Sequence, residues 1–132
     1  MDEVLEFLKA NPTYFLATVD ADGNPQVRPF GTCAKVGDTL YIQTGKVKDV
    51  YKQMKAHPEI ALCGWDGKGT WLRIEATAVE DDSVETNTAV LAEYPSLQAR
   101  YTPGDGNCTV FALTHATASF CSFTADPRIV KF

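Results

Sequence analysis

The chain has 132 residues, of which 45% are hydrophobic, and its formal net charge is −5. A chain of this size suits one domain, spanning residues 1–132, with a core of its own but little room for a multi-part enzyme. The acidic balance argues against general binding to nucleic acid or to anionic membranes, while a small anionic ligand at one basic spot stays compatible with it.

The sequence shows no sign of export, membrane insertion or metal binding. Its first residues, MDEVLEFL, are acidic, so we expect no secretory signal, and no apolar run approaches the roughly 18 residues of a membrane span. The four cysteines (Cys33, Cys63, Cys108 and Cys121) lie far apart, without C-x-x-C spacing and away from the two histidines in sequence. They are predicted to be buried free thiols of a cytoplasmic protein, and no metal site is expected.

The first third of the chain predicts one short helix and three strands. Apolar residues at positions 4, 5, 7 and 8 predict a helix that Asn11-Pro12 closes. Strands are predicted at 13–19, 26–36 and 39–43, with turns at 20–25 and at Gly37-Asp38. Pro29 interrupts the second strand, which is typical of an edge, a bulge or a segment that faces a ligand.

The stretch from Tyr41 to Pro58 predicts a strand, a turn at Thr44-Gly45 and then a helix whose apolar residues recur at helical spacing. The N-terminus of such a helix offers free backbone N–H groups and the positive end of a dipole to an anion. Thr44, Lys46 and Lys48 lie beside it, in a window of four lysines and one aspartate. The same pattern is also typical of a surface helix with a solvated lysine face. Taken alone, the stretch indicates this second interpretation rather than an anion site.

The rest of the chain continues the strand-rich pattern. Strands are predicted at 60–65 and 70–79, and the second of these alternates polar and apolar residues with period two. An acidic cap at 80–83 predicts a helix to about Tyr94, and a short helix is expected at 96–101. Two last strands, 109–114 and 118–124, and an extended tail complete an α+β architecture around an antiparallel barrel.

The order of these segments resembles a known family. Arg28-Pro29-Phe30, then TLYIQT, a lysine-rich helix ending in HP, IALCGW and the long strand WLRIEATA resemble the pyridoxamine 5′-phosphate oxidase-like, FMN-binding split-barrel superfamily. The similarity runs from about Thr13 to the end of the chain. It implies a six-stranded antiparallel split β-barrel with flanking helices, a homodimer, and FMN bound in the groove between the subunits.

The resemblance also assigns candidate cofactor-binding residues. Arg28, Pro29 and Phe30 would run along the flavin; Thr44, Lys46 and Lys48 would hold its phosphate; Trp71 would lie near the ring. A phosphate of about −1.5 to −2 charges suits ammonium, hydroxyl and helix N–H groups together. Trp71 could equally pack in a dimer interface. Tyr94, Arg100 and Tyr101 are further candidates to reach the open face of the flavin. For at least two of them, packing in the core or on the surface is the favoured role.

Two departures from the oxidases concern the substrate. The oxidases carry a lysine five residues after the arginine, where this chain has Cys33, and their C-terminal Trp- and Arg-containing segment is replaced here by residues 125–132. The chain is therefore predicted to be an FMN-dependent oxidoreductase for an unidentified small molecule, not a true pyridoxamine phosphate oxidase. No protein nucleophile or carboxylate pair is identified, so the catalytic residues stay unassigned and the cofactor would carry the chemistry.

Two alternatives share the same fold. One is a module that binds haem or a deazaflavin, for which His57 or His115 would have to supply a haem ligand. The other is a cofactor-free homodimer that acts as a sensor or scaffold. Cys33 and Val50 favour it slightly, because they are uncharged at positions where the oxidases carry, or often carry, a charged residue.

Overall fold

Eight strands and three α-helices make up the protein in the computed structural model, which describes residues 1–132. The elements are, in chain order, α1 (Asp2–Ala10), β1 (Tyr14–Val19), β2 (Pro25–Phe30), β3 (Ala34–Val36), β4 (Thr39–Gly45), α2 (Asp49–Ala56), β5 (Glu59–Trp65), β6 (Thr70–Asp81), α3 (Val84–Leu91), a 3₁₀-helix (Pro95–Ala99), β7 (Cys108–Ser122) and β8 (Arg128–Lys131).

All strands belong to one antiparallel sheet with the order β2-β1-β5-β6-β7-β4-β3. The first part of the long strand β7 pairs with β4, and its later part, at Thr117–Phe120, pairs with β8. The two ends of this order, β2 and β3, are separated in the chain by residues 31–33 alone. The sheet must therefore curl round until its ends approach each other, and it stays open because β2 and β3 do not pair. This arrangement confirms the predicted α+β split barrel.

The structure has eight strands, compared with the seven predicted along the sequence and the six that the resemblance implies, and the limits of the strands differ. The predicted strand 26–36 is divided at residues 31–33, and the tail forms β8. The two predicted strands 109–114 and 118–124 are a single strand, β7, so the break expected around His115 is wrong. His115 has a φ of 48°, close to the register shift opposite it between Glu75 and Thr77. The strand bends there as a β-bulge and then continues its pairing with β6.

The helix after β4 begins later than predicted. Thr44 and Gly45 belong to β4, the chain turns over residues 46–48, and α2 starts at Asp49 with Lys48 as its N-cap. The amides of Lys46 and Val47 donate to the carbonyl oxygen and to Oδ1 of Asn107, at 2.8 and 3.2 Å. Because a distant loop takes these donors, the turn lies two residues beyond the predicted one.

The interior of the curled sheet holds one core cluster of 19 buried residues. Strand alternation places Leu16, Leu62 and Ile74 on this inner side, and α1 and α2 close it with residues such as Val4 and Met54. Burying a side chain of this size stabilises the fold by about 1.5–3 kcal/mol. None of the helices has the length and apolar character that crossing a bilayer requires.

The opposite side of β2, β1, β5 and β6 is an uncovered surface, which we call the outer face. Its apolar residues are Phe15, Val27, Cys63, Trp65, Trp71 and Phe123. Phe15 is 50% exposed and Val27 67% exposed. The ring centroids of Trp71 and Phe123 lie 5.0 Å apart, and those of Trp65 and Trp71 lie 6.4 Å apart. A continuous exposed apolar patch of this kind is typical of a protein contact surface.

All four cysteines are free thiols, and their different burial gives a direct test. Burial of Cys33 raises the pKa of its thiol to about 12, so at pH 8 it carries on the order of a thousandfold less thiolate than an ordinary thiol. We expect iodoacetamide at pH 8 to label the half-buried Cys63 well before Cys33, as measured by peptide mass spectrometry. Labelling of Cys33 as fast in the folded as in the denatured protein would show that its burial is wrong.

Candidate functional site

A cavity of about 290 Å³ lies where the end of β2, the turn before α2 and the 3₁₀-helix meet. It is lined by Pro29, Phe30, Gly31, Thr32, Gln43, Lys48, Tyr94, Ser96, Leu97, Arg100 and Tyr101. Three of the seven predicted cofactor-binding residues, Pro29, Phe30 and Lys48, therefore share one cavity. All three further candidates for the flavin face, at 94, 100 and 101, line it as well.

Hydrogen bonds from distant side chains hold the irregular wall of this cavity. Tyr14 Oη donates to the carbonyl oxygen of Thr32 at 2.6 Å. Tyr94 Oη accepts from the amide of Cys33 at 2.7 Å and donates to its carbonyl oxygen at 2.8 Å. The backbone N–H of Gln43 donates to Thr32 Oγ1 at 2.9 Å. Because these bonds satisfy backbone groups that a sheet ladder would otherwise pair, the chain can leave the sheet between β2 and β3.

The turn before α2 is shaped by the loop that contains Asp105 and Asn107. Asp105 Oδ1 accepts from the backbone N–H groups of Asn107 and Cys108, both at 2.7 Å. Asn107 accepts from the backbone N–H groups of Lys46 and Val47 and so fixes the turn before α2. A Cβ on Gly45 would lie 3.0 Å from Asn107 Oδ1 and 3.1 Å from Tyr101 Cε1, so only glycine fits without displacement. The Gly-Asp-Gly-Asn composition of residues 104–107 is the one sequence signal for such a clamp.

We call the turn at residues 46–48 together with the N-terminus of α2 the anion cradle. The lysines around it differ in whether their charge already takes part in an ion pair. Lys46 Nζ forms an ion pair with Asp82 at 3.0 Å, and Lys55 Nζ forms one with Glu80 at 3.0 Å. Lys48 is exposed and takes part in none of the ion pairs of the structure. Lys48 is also the N-cap of α2, whose first amides have no acceptor within the helix. Lys48 is thus the cradle cation free to meet an anion.

Arg28 points to the inner side of the sheet, towards α2. Its Nη1 donates to the carbonyl oxygen of Leu16 at 3.2 Å and to Thr18 Oγ1 at 2.7 Å, and its Nη2 donates to Gln53 Oε1 at 2.7 Å. Burial lowers the pKa of Arg28, and the carboxylate of Asp49 opposes that shift. A guanidinium stays charged in proteins, so Arg28 adds a second positive group beside α2.

Thr44 is buried, and its hydroxyl has no hydrogen-bond partner. Its neighbour across the ladder, Thr109, donates its own hydroxyl to Glu80 Oε2 at 2.8 Å. An unsatisfied buried hydroxyl costs about 1–3 kcal/mol, which makes it an exception that needs an explanation. Thr44 is the one such side chain in the structure, and it immediately precedes the turn that leads to Lys48.

Trp71 lies apart from the other predicted site residues. It belongs to the outer face, where it packs against Trp65 and Phe123. From β2, which carries Pro29, to β6, which carries Trp71, the sheet takes three strand steps, or about 14 Å at a spacing of roughly 4.8 Å. Trp71 therefore does not line the cavity beside Lys48, and its contact with a flavin stays a prediction.

A larger cavity, of about 500 Å³, lies elsewhere on the sheet and is lined by Glu59, Glu75 and His115 among others. Two carboxylates and no lysine or arginine make it a poor site for an anion. Neither His57 nor His115 lines the cavity beside Lys48. No group of three His, Cys, Asp or Glu side chains is arranged to hold a metal ion.

Comparison with known proteins identifies relatives over nearly the whole chain. Residues 1–122 match the model of the family described as pyridoxamine 5′-phosphate oxidase. A solved NimC/NimA family protein from Clostridium acetobutylicum is 33% identical; the match covers 100% of this chain and 92% of that one, with a TM-score of 0.94. No curated protein sequence matches the chain.

Two more distant structures share the fold. General stress protein 26 from Bacillus anthracis is 15% identical, with 99% of this chain and 97% of that chain covered and a TM-score of 0.75. A heme binding protein from Mycobacterium smegmatis is 10% identical, with 95% of this chain and 57% of that chain covered and a TM-score of 0.67. At these identities the likeness extends to the architecture alone.

Proposed function

The chain belongs to the pyridoxamine 5′-phosphate oxidase family, and from this premise we propose that it binds FMN and acts as a small FMN-dependent oxidoreductase. The observation that carries the proposal is the unpaired Lys48 at the N-terminus of α2, on the wall of a cavity whose other walls are partly aromatic. Helix N-termini with an adjoining cation are suited to phosphate groups.

The donor set of the structure fits a phosphate. Lys48 supplies a free ammonium group and the first turn of α2 supplies N–H groups. The Thr44 hydroxyl lacks a partner, but it is buried and would have to be uncovered to reach a phosphate. Arg28 adds positive charge from β2. Lys46, which the sequence predicted as a ligand, is paired with Asp82 and would have to leave it to take part. We therefore assign the phosphate to Lys48 and Thr44, with Arg28 assisting.

The cavity beside Lys48 would receive the ring system. Pro29, Phe30 and Leu97 offer apolar contacts, and the exposed Arg100 at the same cavity forms no ion pair. When bound, FMN supplies the hydride and electron-transfer chemistry, while the side chains of the protein bind and orient the ligands. Cys33 is buried and uncharged, so it cannot serve a substrate phosphate as the oxidase lysine does. This supports a substrate other than pyridoxamine phosphate.

We further propose that the protein is a homodimer that pairs through the outer face. Pro29 lies on that face by strand alternation and also lines the cavity, so a partner seated there borders the cavity. The face also carries Glu59 and an ion pair between Arg73 Nη2 and Glu75 Oε1 at 3.3 Å, and a twofold axis could bring Glu59 of one subunit to Arg73 of the other. In such a dimer Trp71 would reach the cofactor of the other subunit.

The alternatives predicted from the sequence are a haem-binding module, a deazaflavin-binding module and a cofactor-free dimer. An absorbance spectrum distinguishes each of them from an FMN protein. No histidine lines the cavity, so no observation favours haem. A phosphate-bearing deazaflavin would use the same donors, and a cofactor-free dimer would leave Lys48 and Thr44 without a role. The predicted cytoplasmic location stays a prediction.

The absorbance spectrum of the purified protein, mixed with FMN and desalted, tests the proposal. We expect flavin bands at about one FMN per chain, as one cradle per chain implies. A Soret band would identify haem instead, and absorption shifted to the shorter wavelengths of a deazaflavin would identify that cofactor. A spectrum with no bands beyond those of the protein itself would refute a flavin function.

A further inference from the structure

Gln53, which no sequence pattern singles out, lies at the centre of the hydrogen bonds around Arg28. Its Oε1 accepts from Arg28 Nη2 at 2.7 Å and from Thr18 Oγ1 at 2.5 Å. Thr18 also accepts from Arg28 Nη1 at 2.7 Å, so the three side chains form a closed set of contacts between β1, β2 and α2. Thr18 is buried, and Arg28 and Gln53 are half-buried.

Every atom that accepts a hydrogen bond from the Arg28 guanidinium is electrically neutral. The acceptors are the carbonyl oxygen of Leu16, the hydroxyl of Thr18 and the amide oxygen of Gln53. Asp49 is close enough to influence the pKa of Arg28 but forms no ion pair with it. The guanidinium is therefore fixed in place without an ion pair, and the nearby carboxylate of Asp49 offsets its charge only in part.

The position of Gln53 relates this charge to the anion cradle. Gln53 follows Asp49, the first residue of α2, by four residues, so the two lie on one face of the helix about 5–6 Å apart at Cβ. The two residues also line one small cavity together with Lys52 and Ala56. The Arg28 guanidinium, which donates to Gln53, therefore lies about one helical turn from the N–H groups that would bind a phosphate.

We propose that Gln53 is a positioning residue that holds Arg28 beside the N-terminus of α2 with its charge unpaired, ready for an anionic group. A glutamate would have nearly the same shape, but it would form an ion pair with Arg28 and cancel the charge offered to the anion. This inference rests on the proposed function, because it assumes that a phosphate binds at this helix terminus.

Three variants test the role of Gln53 through the dissociation constants of FMN and riboflavin, measured by flavin fluorescence. Gln53→Glu is expected to weaken FMN at least about tenfold, while riboflavin, which lacks the phosphate, changes by less than about threefold. Gln53→Ala, which frees Arg28 but keeps its charge, is expected to weaken FMN less than Gln53→Glu does. Ala56→Glu adds the same charge to an exposed position at the C-terminal end of α2, outside the cavity beside Lys48, and is expected to change FMN binding less than about threefold.

Thermal unfolding without ligand gives a second measurement. The new ion pair in Gln53→Glu should leave the melting temperature equal to or above that of the wild type at low salt, which excludes a folding defect. Inorganic phosphate should raise the melting temperature of the wild type and raise that of Gln53→Glu less, if the cradle binds free phosphate as well as FMN.

The outcomes separate the two levels of the hypothesis. If Gln53→Glu and Ala56→Glu weaken FMN equally, or if Gln53→Glu leaves it unchanged, Gln53 does not position Arg28 and this inference is wrong although FMN binds. If the wild type binds neither FMN nor riboflavin, the proposed function fails and the inference falls with it.

Discussion

Replacement of Lys48 by alanine is expected to weaken FMN binding about 10- to 100-fold and to leave riboflavin binding almost unchanged. A charge-assisted hydrogen bond to a phosphate contributes roughly 1.5–3 kcal/mol, and each 1.4 kcal/mol corresponds to about a tenfold change in affinity. Lys48 is exposed and forms no ion pair, so its truncation removes no contact that the fold needs. Titration of each flavin, followed by its fluorescence, measures both dissociation constants.

Lys52 offers a matched control for this experiment. It is also an exposed lysine of α2 without an ion pair, but it lies one turn away from the helix N-terminus. Lys52→Ala should change FMN binding by less than about threefold, since an exposed charge that makes no direct contact with the phosphate contributes little to its binding. If Lys48→Ala loses FMN and riboflavin in the same proportion, or loses neither, the phosphate does not bind at this turn and the lysines form a solvated helix face.

The fold was predictable where local pattern decides the structure. Alternation along β6 identified its two faces correctly, because side chains of a strand point to opposite sides in turn. The cap at Ser83 was also predictable, and its Oγ accepts from the amide of Thr86 at 3.3 Å. The break between β2 and β3 was not predictable, since it depends on hydrogen bonds from Tyr14 and Tyr94, which are distant in sequence.

The candidate site was predictable as a stretch of chain but not in the state of each side chain. Lys46 and Lys48 are equivalent in sequence, yet Asp82 pairs with Lys46 from a position 36 residues away. The roles of Asn107 and Gln53 likewise depend on contacts that only the folded chain creates. The resemblance placed Trp71 near a flavin, and the sheet order places it three strands from β2, outside the cavity that Pro29 lines.

The second large effect is expected from a charge placed at the centre of the outer face. Phe15 lies between Pro29 on β2 and Cys63 on β5, and in the free subunit it is 50% exposed, so Phe15→Glu should fold normally. A central aromatic residue of an interface typically contributes 2 kcal/mol or more, which corresponds to about 30-fold in affinity. Because a twofold interface contains the substitution twice, the loss should exceed about 100-fold. Light scattering at micromolar concentration should therefore show a monomer of 14.4 kDa for Phe15→Glu and a dimer for the wild type.

Val84 provides the control for Phe15, because it is similarly exposed, at 52%, but belongs to α3 and not to the outer face. Val84→Glu should remain dimeric and bind FMN as the wild type does. Phe15→Glu should lose FMN affinity together with its dimeric state, since the cavity borders the outer face at Pro29. A wild type that is monomeric at micromolar concentration would refute the homodimer. A dimeric Phe15→Glu would place the interface on another surface, and a monomeric Phe15→Glu with unchanged FMN affinity would show that one subunit suffices to hold the cofactor.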